Sequence, residues 1–558
     1  MSSRLLIRFV QIVGILIAAF LVWLLLISED LRFFIPRYFK VAGLPFSSRS
    51  YLVVFQNNNE LRPTGGFISA YGVLKFKNAV LTGLEIKDVY ALEENTEFIE
   101  PPYPMKELLN SPYYKGYAFR DANWSPDFAV ASEELISFYQ RHFPQERIDG
   151  VIAVNFSILE SLLEILKTVQ VGDLVFRREN LFSLLEHSVT DIDKHNLQDL
   201  QERKDVLRVL FKKIIRQVVY NVPYYHNFFL LLEQGLKEKN ILVYFKNVSL
   251  EREINLRHFG GVLPKPGQRD FLAVSEANLG GMKSDRYILR EVDYQVEIKD
   301  SAGQVGKYGA EGKLTLRFSH RGDYNEPLSY TFKGYVRTLL PLGVKFLETP
   351  VGTHLQEELG YQSVGNIINL EPQQTKELVY RFVLSPEIFS RPNFYRLYLV
   401  KQPGTALDFY RVTVRTPIDF LISSQDFVTR ENVAVFQKIL DKDQILDLSW
   451  TEDRFAPLIG FQEFTALNTL ELHFNEPVLQ ETCADLRNYQ VEDLDLKNAS
   501  HDTVRITEVN CEDRKAVLKL EGITKQAKES YQLTLRDIAD LQGNVIAPNP
   551  RVITVVQK

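Results

Sequence analysis

Five charged residues in the first half of the chain could do chemistry together. Arg62 lies in a polar loop, Arg120, Asp121 and Asp127 lie in a second loop, and Arg203 follows much later. Three arginines that converge on one anionic group could clamp a phosphate, because the planar guanidinium meets phosphate oxygens in pairs. Asp121 or Asp127 would then serve as a base or as a metal ligand. These residues predict an anion-binding site.

The same residues also fit a purely structural interpretation. Arg120 with Asp121, and Glu60 with Arg62, could be ion pairs and caps that brace two long loops. The sequence contains no phosphate loop of the GxxxxGK type, no HExxH zinc helix and no GxSxG nucleophile elbow. Its nine histidines are dispersed, so we predict no metal site and can name no cofactor.

The elements around the first loop predict how it is held. Tyr51–Phe55 is an apolar run typical of a buried strand, and a strand pair turning at Lys77-Asn78 follows the loop. The loop itself, Gln56–Gly66, is dense in side chains that bond locally. We interpret it as either a binding rim or an elaborate turn.

Helical and strand patterns then alternate. Ala129–Arg141, Ser157–Val169 and Gln198–Tyr220 carry apolar residues at helical spacing, whereas Ile148–Asn155 reads as a strand. Alternation of this kind predicts an α/β layered fold. We assign it to a head domain over residues 50–275, after a linker at 29–49.

The N-terminus predicts a membrane anchor. Phe9–Ser28 is free of charge over twenty residues, which spans roughly 30 Å as a helix. A cleaved signal peptide is less consistent with so long a run and with the lack of a small-x-small site before Glu29. We predict a cytoplasmic tail at 1–8, one transmembrane helix at 9–28, and the bulk of the chain outside the cell membrane, which is the common arrangement for such anchors.

The second half of the chain is rich in predicted strands. Alternating apolar and polar residues predict an antiparallel β-sandwich over 276–422. We interpret 423–460 as a connector with a short helix at Arg430–Leu440, and 461–558 as a last β-domain. The two cysteines, Cys483 and Cys511, could pair or could be small apolar fillers.

Length and charge limit the function classes. At 558 residues the chain suggests about three or four domains. Its net charge of −6, from 65 basic and 71 acidic residues, does not indicate a positively charged surface that could bind nucleic acid. We therefore expect no nucleic-acid partner.

Three segments carry a family resemblance. FQNNNELRPTGGF at 55–67, FRDANWSPDF at 119–128 and IDGVIAVNFSILESLLEIL at 148–166 resemble a bacterial membrane-anchored family, the domain of unknown function numbered four thousand and twelve. NLGGMKSDRYILREVDYQV at 278–296 and GYVRTLLPLG at 334–343 extend the likeness. The resemblance covers roughly residues 50–420 and implies a membrane-anchored envelope protein.

A more distant resemblance concerns the order of elements. Ile148–Leu166 and the helix at 199–205 are similar to segments of the LytR-CpsA-Psr phosphotransferases, which attach glycopolymers carried on polyprenyl pyrophosphate to the cell wall. That likeness implies an arginine clamp for pyrophosphate. The chain departs from the pattern, because Gly65-Gly66-Phe67 and Lys87-Asp88 stand where those enzymes carry Arg-x-Asp and Arg-Asp. Only Arg203 falls where a matching arginine is expected.

The last unit resembles the bacterial immunoglobulin-like domains of surface proteins. LELHFNEPV at 470–478 is similar to their opening strand, and DIADLQGNV at 537–545 to the turn before their last strand. Such domains act as spacers or adhesive modules.

Two hypotheses for function follow. The first is a non-catalytic cell-envelope protein that binds a cell-wall polymer or a polyprenyl-linked glycolipid. The second is a divergent phosphotransferase or pyrophosphatase that acts on a glycopolymer linked to polyprenyl pyrophosphate. The positions of Arg62, Arg120 and Arg203 relative to one another decide between them, because a pyrophosphate needs several donors within bonding reach.

Overall fold

The structure is a computed structural model. It describes residues 33–92, 97–109, 116–181, 183–184, 197–280, 283–300, 308–389, 391, 393–417, 420–452, 455–494, 504–523 and 529–557. The predicted transmembrane helix at 9–28 and the tail before it lie outside these residues. Within them, no helix combines the length and the apolar character needed to cross a bilayer.

The head is built on one mixed five-stranded sheet, in the order β3-β2-β1-β4-β7. Strands β1 and β4 are parallel, and the other neighbours are antiparallel. The strands of the head are β1 (Ser48–Asn57), β2 (Phe67–Lys77), β3 (Val80–Asp88), β4 (Gly150–Asn155), the small hairpin β5 (Val169–Val171) and β6 (Leu174–Phe176), and β7 (Ile241–Phe245). The helices are α1 (Tyr38–Ala42), α2 (Met105–Leu108), α3 (Phe128–His142), α4 (Phe156–Leu166), α5 (Leu197–Tyr220), α6 (Tyr225–Lys237) and α7 (Val248–Asn255).

Helices cover both faces of this sheet because its central strands are apolar on both sides. Leu52 and Val54 pack in one core with α3 and the loop before it, whereas Tyr51 packs in a second core with α4, α5, α6 and α7. Successive side chains of a strand point to opposite faces, which divides the two cores in this way. The α/β layered head predicted from the sequence is confirmed as a mixed α/β region.

A β-sandwich of two seven-stranded sheets follows the head. One sheet has the order β12-β15-β10-β9-β17-β20-β19 and the other β13-β14-β11-β8-β16-β21-β18. Their facing side chains form one large apolar core. The strands are β8 (Asp270–Asn278), β9 (Ile288–Asp300), β10 (Tyr308–His320), β11 (Phe332–Leu340), β12 (Lys345–Glu348), β13 (His354–Glu358), β14 (Tyr361–Leu370), β15 (Thr375–Leu384), β16 (Phe394–Val400), β17 (Phe409–Arg415), β18 (Phe420–Ser423), β19 (Val428–Arg430), β20 (Val433–Ile439) and β21 (Gln444–Glu452).

The sandwich is longer than the sequence indicated at both ends. It begins with β8 at Asp270, and the predicted connector at 423–460 contributes β19, β20 and β21 to its sheets. The helix predicted at Arg430–Leu440 is wrong. Its apolar run is short and contains two valines, and it pairs along β17 with Ala434 buried opposite Val414, which is the environment that β-branched residues favour.

The last unit is a smaller pair of antiparallel sheets. Four strands in the order β22-β23-β26-β25 face three strands in the order β24-β27-β28. Cys483 and Cys511 are joined by a disulfide bond across 28 positions of sequence, which resolves the two alternatives for these residues. The elements are β22 (Ile459–Ala466), β23 (Thr469–Phe474), α8 (Gln480–Cys483), β24 (Tyr489–Asp493), β25 (Arg505–Glu512), β26 (Lys515–Glu521), β27 (Ser530–Leu535) and β28 (Arg551–Val556).

Candidate functional site

The Gln56–Gly66 loop is held together by hydrogen bonds within itself and to the second loop. It leaves the carboxyl end of β1, and the Gln56 carbonyl oxygen Oε1 accepts hydrogen bonds from the Gly66 amide at 3.0 Å and the Thr64 hydroxyl at 3.1 Å. The Asn123 amide donates to Thr64 Oγ1 at 2.9 Å and to the Gly66 carbonyl at 2.8 Å. All four residues are buried. The loop is therefore an elaborate turn that is closed by the second loop.

Arg62 lies at the centre of a buried junction between the head and the sandwich. Its side chain is only 1% exposed and donates a hydrogen bond to the main-chain carbonyl of Asn278 at the end of β8. Its Nη2 lies 3.7 Å from a Glu60 oxygen and 3.9 Å from an Asp121 oxygen. Its charge is thus balanced inside the protein, and no ligand from solvent could reach it without opening the junction.

A carboxylate of the sandwich completes this junction. The Leu61 amide and the Asn278 side-chain amide both donate to Asp285 Oδ2, at 2.9 and 2.7 Å. Arg290 donates to the other Asp285 oxygen at 2.6 Å and to both Glu276 oxygens at 2.7 and 2.8 Å. Burial raises the pKa of both carboxyls, and the Arg290 charge opposes the shift. The pairing satisfies charges that would otherwise be unstable away from water.

The turn after β16 closes the junction from the other side. The Gln402 side chain donates to the carbonyls of Glu276 at 2.7 Å and Arg62 at 3.3 Å, and it accepts from the Glu276 amide at 2.8 Å. Gly404, at φ +81°, lies so close to Gly65 that a Cβ added to it would meet the Gly65 carbonyl oxygen at 2.0 Å. Glycine is needed on this turn both for its backbone conformation and for this approach.

Two buried lysines lie beside Gln402. Lys401 donates from Nζ to the carbonyls of Gln402 at 3.0 Å and Thr405 at 2.8 Å, and burial lowers its pKa to about 8. Lys239, after α6, donates to Asp443 at 2.6 Å. Sequence reasoning missed both lysines, because nothing near them in the chain marks them as buried.

The second predicted loop makes contacts of the structural kind. Arg120 and Asp121 are both buried, with 3.5 Å between Arg120 Nε and Asp121 Oδ2. The Arg120 guanidinium also lies 5.7 Å from the centre of the Tyr90 ring. The structure therefore brings Arg62, Arg120 and Asp121 together, but Asp121 lies between the two arginines where an anionic ligand was predicted.

Asp127 is a helix cap. One of its oxygens accepts from the Ala129 and Val130 amides at 2.9 and 3.2 Å, at the start of α3, and the other accepts from the Leu263 amide at 3.0 Å. Burial raises the pKa of this carboxyl, and the three amides oppose the shift. A capping carboxylate of this kind stabilises a helix by about 1 kcal/mol.

Arg203 belongs to α5, and its side chain lies outside the part of the chain that the structure describes. Further along α5, Leu210, Ile214 and Val218 pack in the core on one face of the head sheet. Phe119, next to Arg120, packs in the core on the other face. The helix that carries Arg203 and the loop that carries Arg120 are therefore separated by the sheet.

A groove of about 490 Å³ opens at the free edge of the head sheet, and none of its lining residues belongs to the Gln56–Gly66 loop. Its walls come from β2, β3, α5 and the segment 139–146. Apolar and charged side chains share its surface: Tyr71, Val73, Lys75, Leu84, Glu85, Ile86, Lys87, Tyr139, Phe143, Glu146, Phe211, Lys212 and Ile215. Among the described residues, no group of three or more His, Cys, Asp or Glu side chains is placed to hold a metal ion.

Residues 47–189 match the model of a family described as a protein of unknown function (DUF4012). The family resemblance is thereby supported for the first part of the head, which includes the Gln56–Gly66 loop. No curated protein matches the chain significantly.

Solved structures give only weak likenesses. A protein from Legionella pneumophila titled as nutrient binding is 10% identical over 29% of this chain and 67% of its own, with a TM-score of 0.21. Yeast LTA4 hydrolase is 12% identical over 31% of this chain and 29% of its own, at 0.19. A zinc metallopeptidase of Deinococcus radiodurans is 14% identical over 34% of this chain and 48% of its own, at 0.18. The chain spans less than half the length of the last two, and scores this low carry no inference.

Proposed function

We propose that the chain is a single-pass, membrane-anchored, extracytoplasmic protein of the cell envelope. In this proposal it binds a cell-wall polymer or a polyprenyl-linked glycolipid without transforming it. One observation carries the non-catalytic part. Arg62, which would have to meet an anionic substrate, is 1% exposed and ion-paired between Glu60 and Asp121.

Two further observations support the location. Disulfide bonds persist in oxidising compartments and are rare in the cytosol, and Cys483 and Cys511 form one. The uncharged run at 9–28 is long enough to hold the chain in a bilayer. The last two-sheet unit, which resembles bacterial immunoglobulin-like domains, would serve as a spacer or an adhesive module.

The groove at the sheet edge is the surface best suited to an amphipathic ligand. Val73, Leu84 and Phe211 line it with buried or half-buried apolar side chains. Lys87 and Lys212 line it with exposed ammonium groups, and Lys87 lies 3.7 Å from a Glu85 oxygen. Binding sites for small ligands usually combine an apolar surface with a few polar groups that fix orientation. Lysines next to apolar side chains suit a lipid chain that carries a phosphate or a sugar acid.

A topology reporter tests the location. A reporter that is active only outside the cytoplasm is fused after Lys558 of the full chain. We expect activity in intact cells and retention of the chain in the membrane fraction. Activity of the matching cytoplasmic reporter would contradict the proposal.

A binding measurement tests the ligand class. The full chain in detergent is titrated with an undecaprenyl-pyrophosphate-linked oligosaccharide, and the double variant Lys87→Glu, Lys212→Glu is compared with Lys345→Glu, an exposed lysine of the sandwich. We expect a several-fold loss of affinity for the groove variant alone, because charge reversal repels the ligand phosphates. Equal binding by all three proteins would contradict the assignment of the groove.

The alternative is a divergent LytR-CpsA-Psr-like phosphotransferase or pyrophosphatase. It is supported by the order of elements and by the proximity of Arg62 and Arg120. The same undecaprenyl-pyrophosphate-linked oligosaccharide serves as substrate, with Mg²⁺ present. Turnover that is lost in Arg120→Ala and kept in Arg147→Ala would favour the enzyme, whereas no turnover by the wild-type chain favours the binding protein.

A further inference from the structure

The end of the head opposite the sandwich exposes large apolar side chains. Phe46 is 99% exposed, Val248 83% and Leu44 63%. Six such residues make up what we call the basal patch: Tyr38, Phe39, Leu44, Phe46, Val80 and Val248. Single exposed apolar residues are ordinary, but a group of them on one surface marks an interaction site.

Hydrogen bonds fix the segments that carry this patch. The Tyr38 hydroxyl donates to the Ala79 carbonyl at 2.6 Å, which ties α1 to the turn between β2 and β3. The Asn78 side chain accepts from the Phe46 amide at 2.9 Å, and the Asn78 amide donates to the Ser47 carbonyl at 2.9 Å. The segments that carry Tyr38 and Phe46 are thus fixed by hydrogen bonds to the turn between β2 and β3.

The patch lies where the chain enters the head. Phe33, the first described residue, is buried at this end, with the guanidinium groups of Arg37 and Arg257 at 3.8 and 4.7 Å from its ring centre. The uncharged run ends at Ser28, only ten positions before Tyr38. Ten positions span at most ~35 Å of extended chain, so a bilayer that holds residues 9–28 lies within reach of this surface.

Charge around the patch also suits a membrane. Arg37, Lys40, Lys77 and Arg257 lie on or next to the segments that carry the patch, and Arg37 and Lys40 pair with Glu253. Basic residues close to a bilayer are attracted to anionic lipid headgroups, by about 1 kcal/mol each. Aromatic side chains are enriched at the same depth, because their rings suit the boundary between headgroups and acyl chains.

We propose that the basal patch rests in the headgroup region of a phospholipid bilayer and sets the orientation of the head. This inference rests on the proposed membrane anchor. The aromatic rings enter the interface, the exposed Lys40 and Lys77 contact anionic headgroups, and the long axis of β1 stands away from the membrane. With ten residues at ~3.3 Å each, β1 then holds the sandwich junction ~30 Å above the bilayer.

This orientation has a consequence for the groove. Gly83, which lines it, follows Val80 of the patch by three positions in β3, a distance of ~10 Å along a strand. The groove therefore opens a short way above the lipid surface. A lipid-linked ligand could occupy it without leaving the membrane.

Depth-dependent quenching tests the proposal on the full chain. Both native cysteines are disulfide-bonded, so Phe46→Cys offers one thiol for an environment-sensitive NBD fluorophore. Val351→Cys, on an equally exposed residue of the sandwich, is the matched control. Each labelled protein is reconstituted into vesicles of phosphatidylglycerol and phosphatidylcholine that contain a shallow doxyl-labelled lipid.

We expect doxyl quenching at position 46 to exceed that at position 351 at least threefold, and iodide quenching to show the reverse order. The variant Val80→Cys, at a second site in the patch, should behave as position 46 does. Equal doxyl quenching at 46, 80 and 351 would overturn the proposal.

Resistance to carbonate extraction separates this proposal from the anchor on which it rests. Protein that resists extraction but is quenched equally at all three positions leaves the anchor intact and removes the basal patch. Protein that is extracted contradicts the anchor and the patch together. The wild-type chain, unlabelled, is the reference for extraction.

Discussion

The two ends of the head sheet are built from opposite kinds of side chain. At the upper end, charged residues such as Arg62 and Asp285 are buried and paired across the junction with the sandwich. At the basal end, aromatic residues such as Phe46 are exposed. The charged residues that the sequence suggested for chemistry therefore make structural contacts at the junction, whereas the basal end exposes apolar side chains.

This contrast teaches how to interpret charged loops. A buried ion pair contributes little net stability, yet removing one member leaves a charge without compensation and is strongly destabilising. The Gln56–Gly66 loop is thus rich in polar residues because two domains meet there. If the contrast is right, substitutions at the upper end should damage folding, and those at the basal end should not.

Arg62→Ala should have the largest effect. Loss of the guanidinium leaves the Glu60 and Asp121 carboxylates without it and opens a cavity, so we expect the free energy of unfolding to fall by roughly 3–5 kcal/mol. Urea titration followed by tryptophan fluorescence measures this. Arg147→Ala, which removes an ion pair from a side chain that is 78% exposed, should change it by less than about 1 kcal/mol. Equal losses of unfolding free energy in Arg62→Ala and Arg147→Ala would contradict the difference between the buried junction and the exposed surface.

Gly404→Ala tests the closeness of the two domains. The new Cβ would clash with the Gly65 carbonyl oxygen, so we expect a loss of about 1–3 kcal/mol from overpacking in addition to backbone strain. Gly543→Ala is the control, because Gly543 has nearly the same φ and nothing within 4 Å of the added atom. Similar losses of unfolding free energy in Gly404→Ala and Gly543→Ala would mean that the junction shifts to accommodate the added methyl group.

The lowered pKa of Lys401 at the junction predicts that the free energy of unfolding depends on pH. This pKa is about 8 in the folded protein, below the ordinary 10.5, so the unfolded chain binds more protons between these values. The Lys401 contribution to stability should therefore rise with pH, by about 2 kcal/mol between pH 7.5 and 9.5. The difference in unfolding free energy between the wild type and Lys401→Met should show this rise. Lys345→Met, at an exposed site, should show no trend, and a flat Lys401 profile would contradict burial.

Phe46→Ser should have the smallest effect on folding. The ring is 99% exposed, so its removal should change the free energy of unfolding by less than about 0.5 kcal/mol in detergent. Thermal unfolding of the variant and the wild type side by side measures this. A loss of 2 kcal/mol would mean that the basal end is packed against protein.

The sequence predicts the local elements of the head well. The helix expected at Ala129–Arg141 is α3, the strand at Ile148–Asn155 contains β4, and the turn at Lys77-Asn78 joins β2 to β3. Each has a strong periodic pattern or turn residues that specify it locally. The prediction of a helix at Arg430–Leu440 was wrong because a short apolar run fits both the helical period of 3.6 residues and the strand period of 2.

The site could not be predicted in the same way. Arg62 contacts Asn278 and its neighbour Leu61 contacts Asp285, more than 200 positions later in the chain. No local sequence pattern identifies such distant partners. A charged loop residue has the same local sequence pattern whether it contacts solvent or another domain. The exposure of Phe46 was equally hidden, because composition alone does not say which aromatic residues stay outside the cores.

Hydrogen exchange in the loop is the most direct test of the sealed junction. The Gly65 amide donates to the Arg62 carbonyl and the Phe67 amide to the Glu60 carbonyl, and the Leu61 amide donates to Asp285. We predict that residues 60–67 of the full chain exchange as slowly as β8, at least about a hundredfold slower than the exposed turn at 349–353. Exchange of the loop at the rate of that turn would show that the junction is open, and would contradict the account.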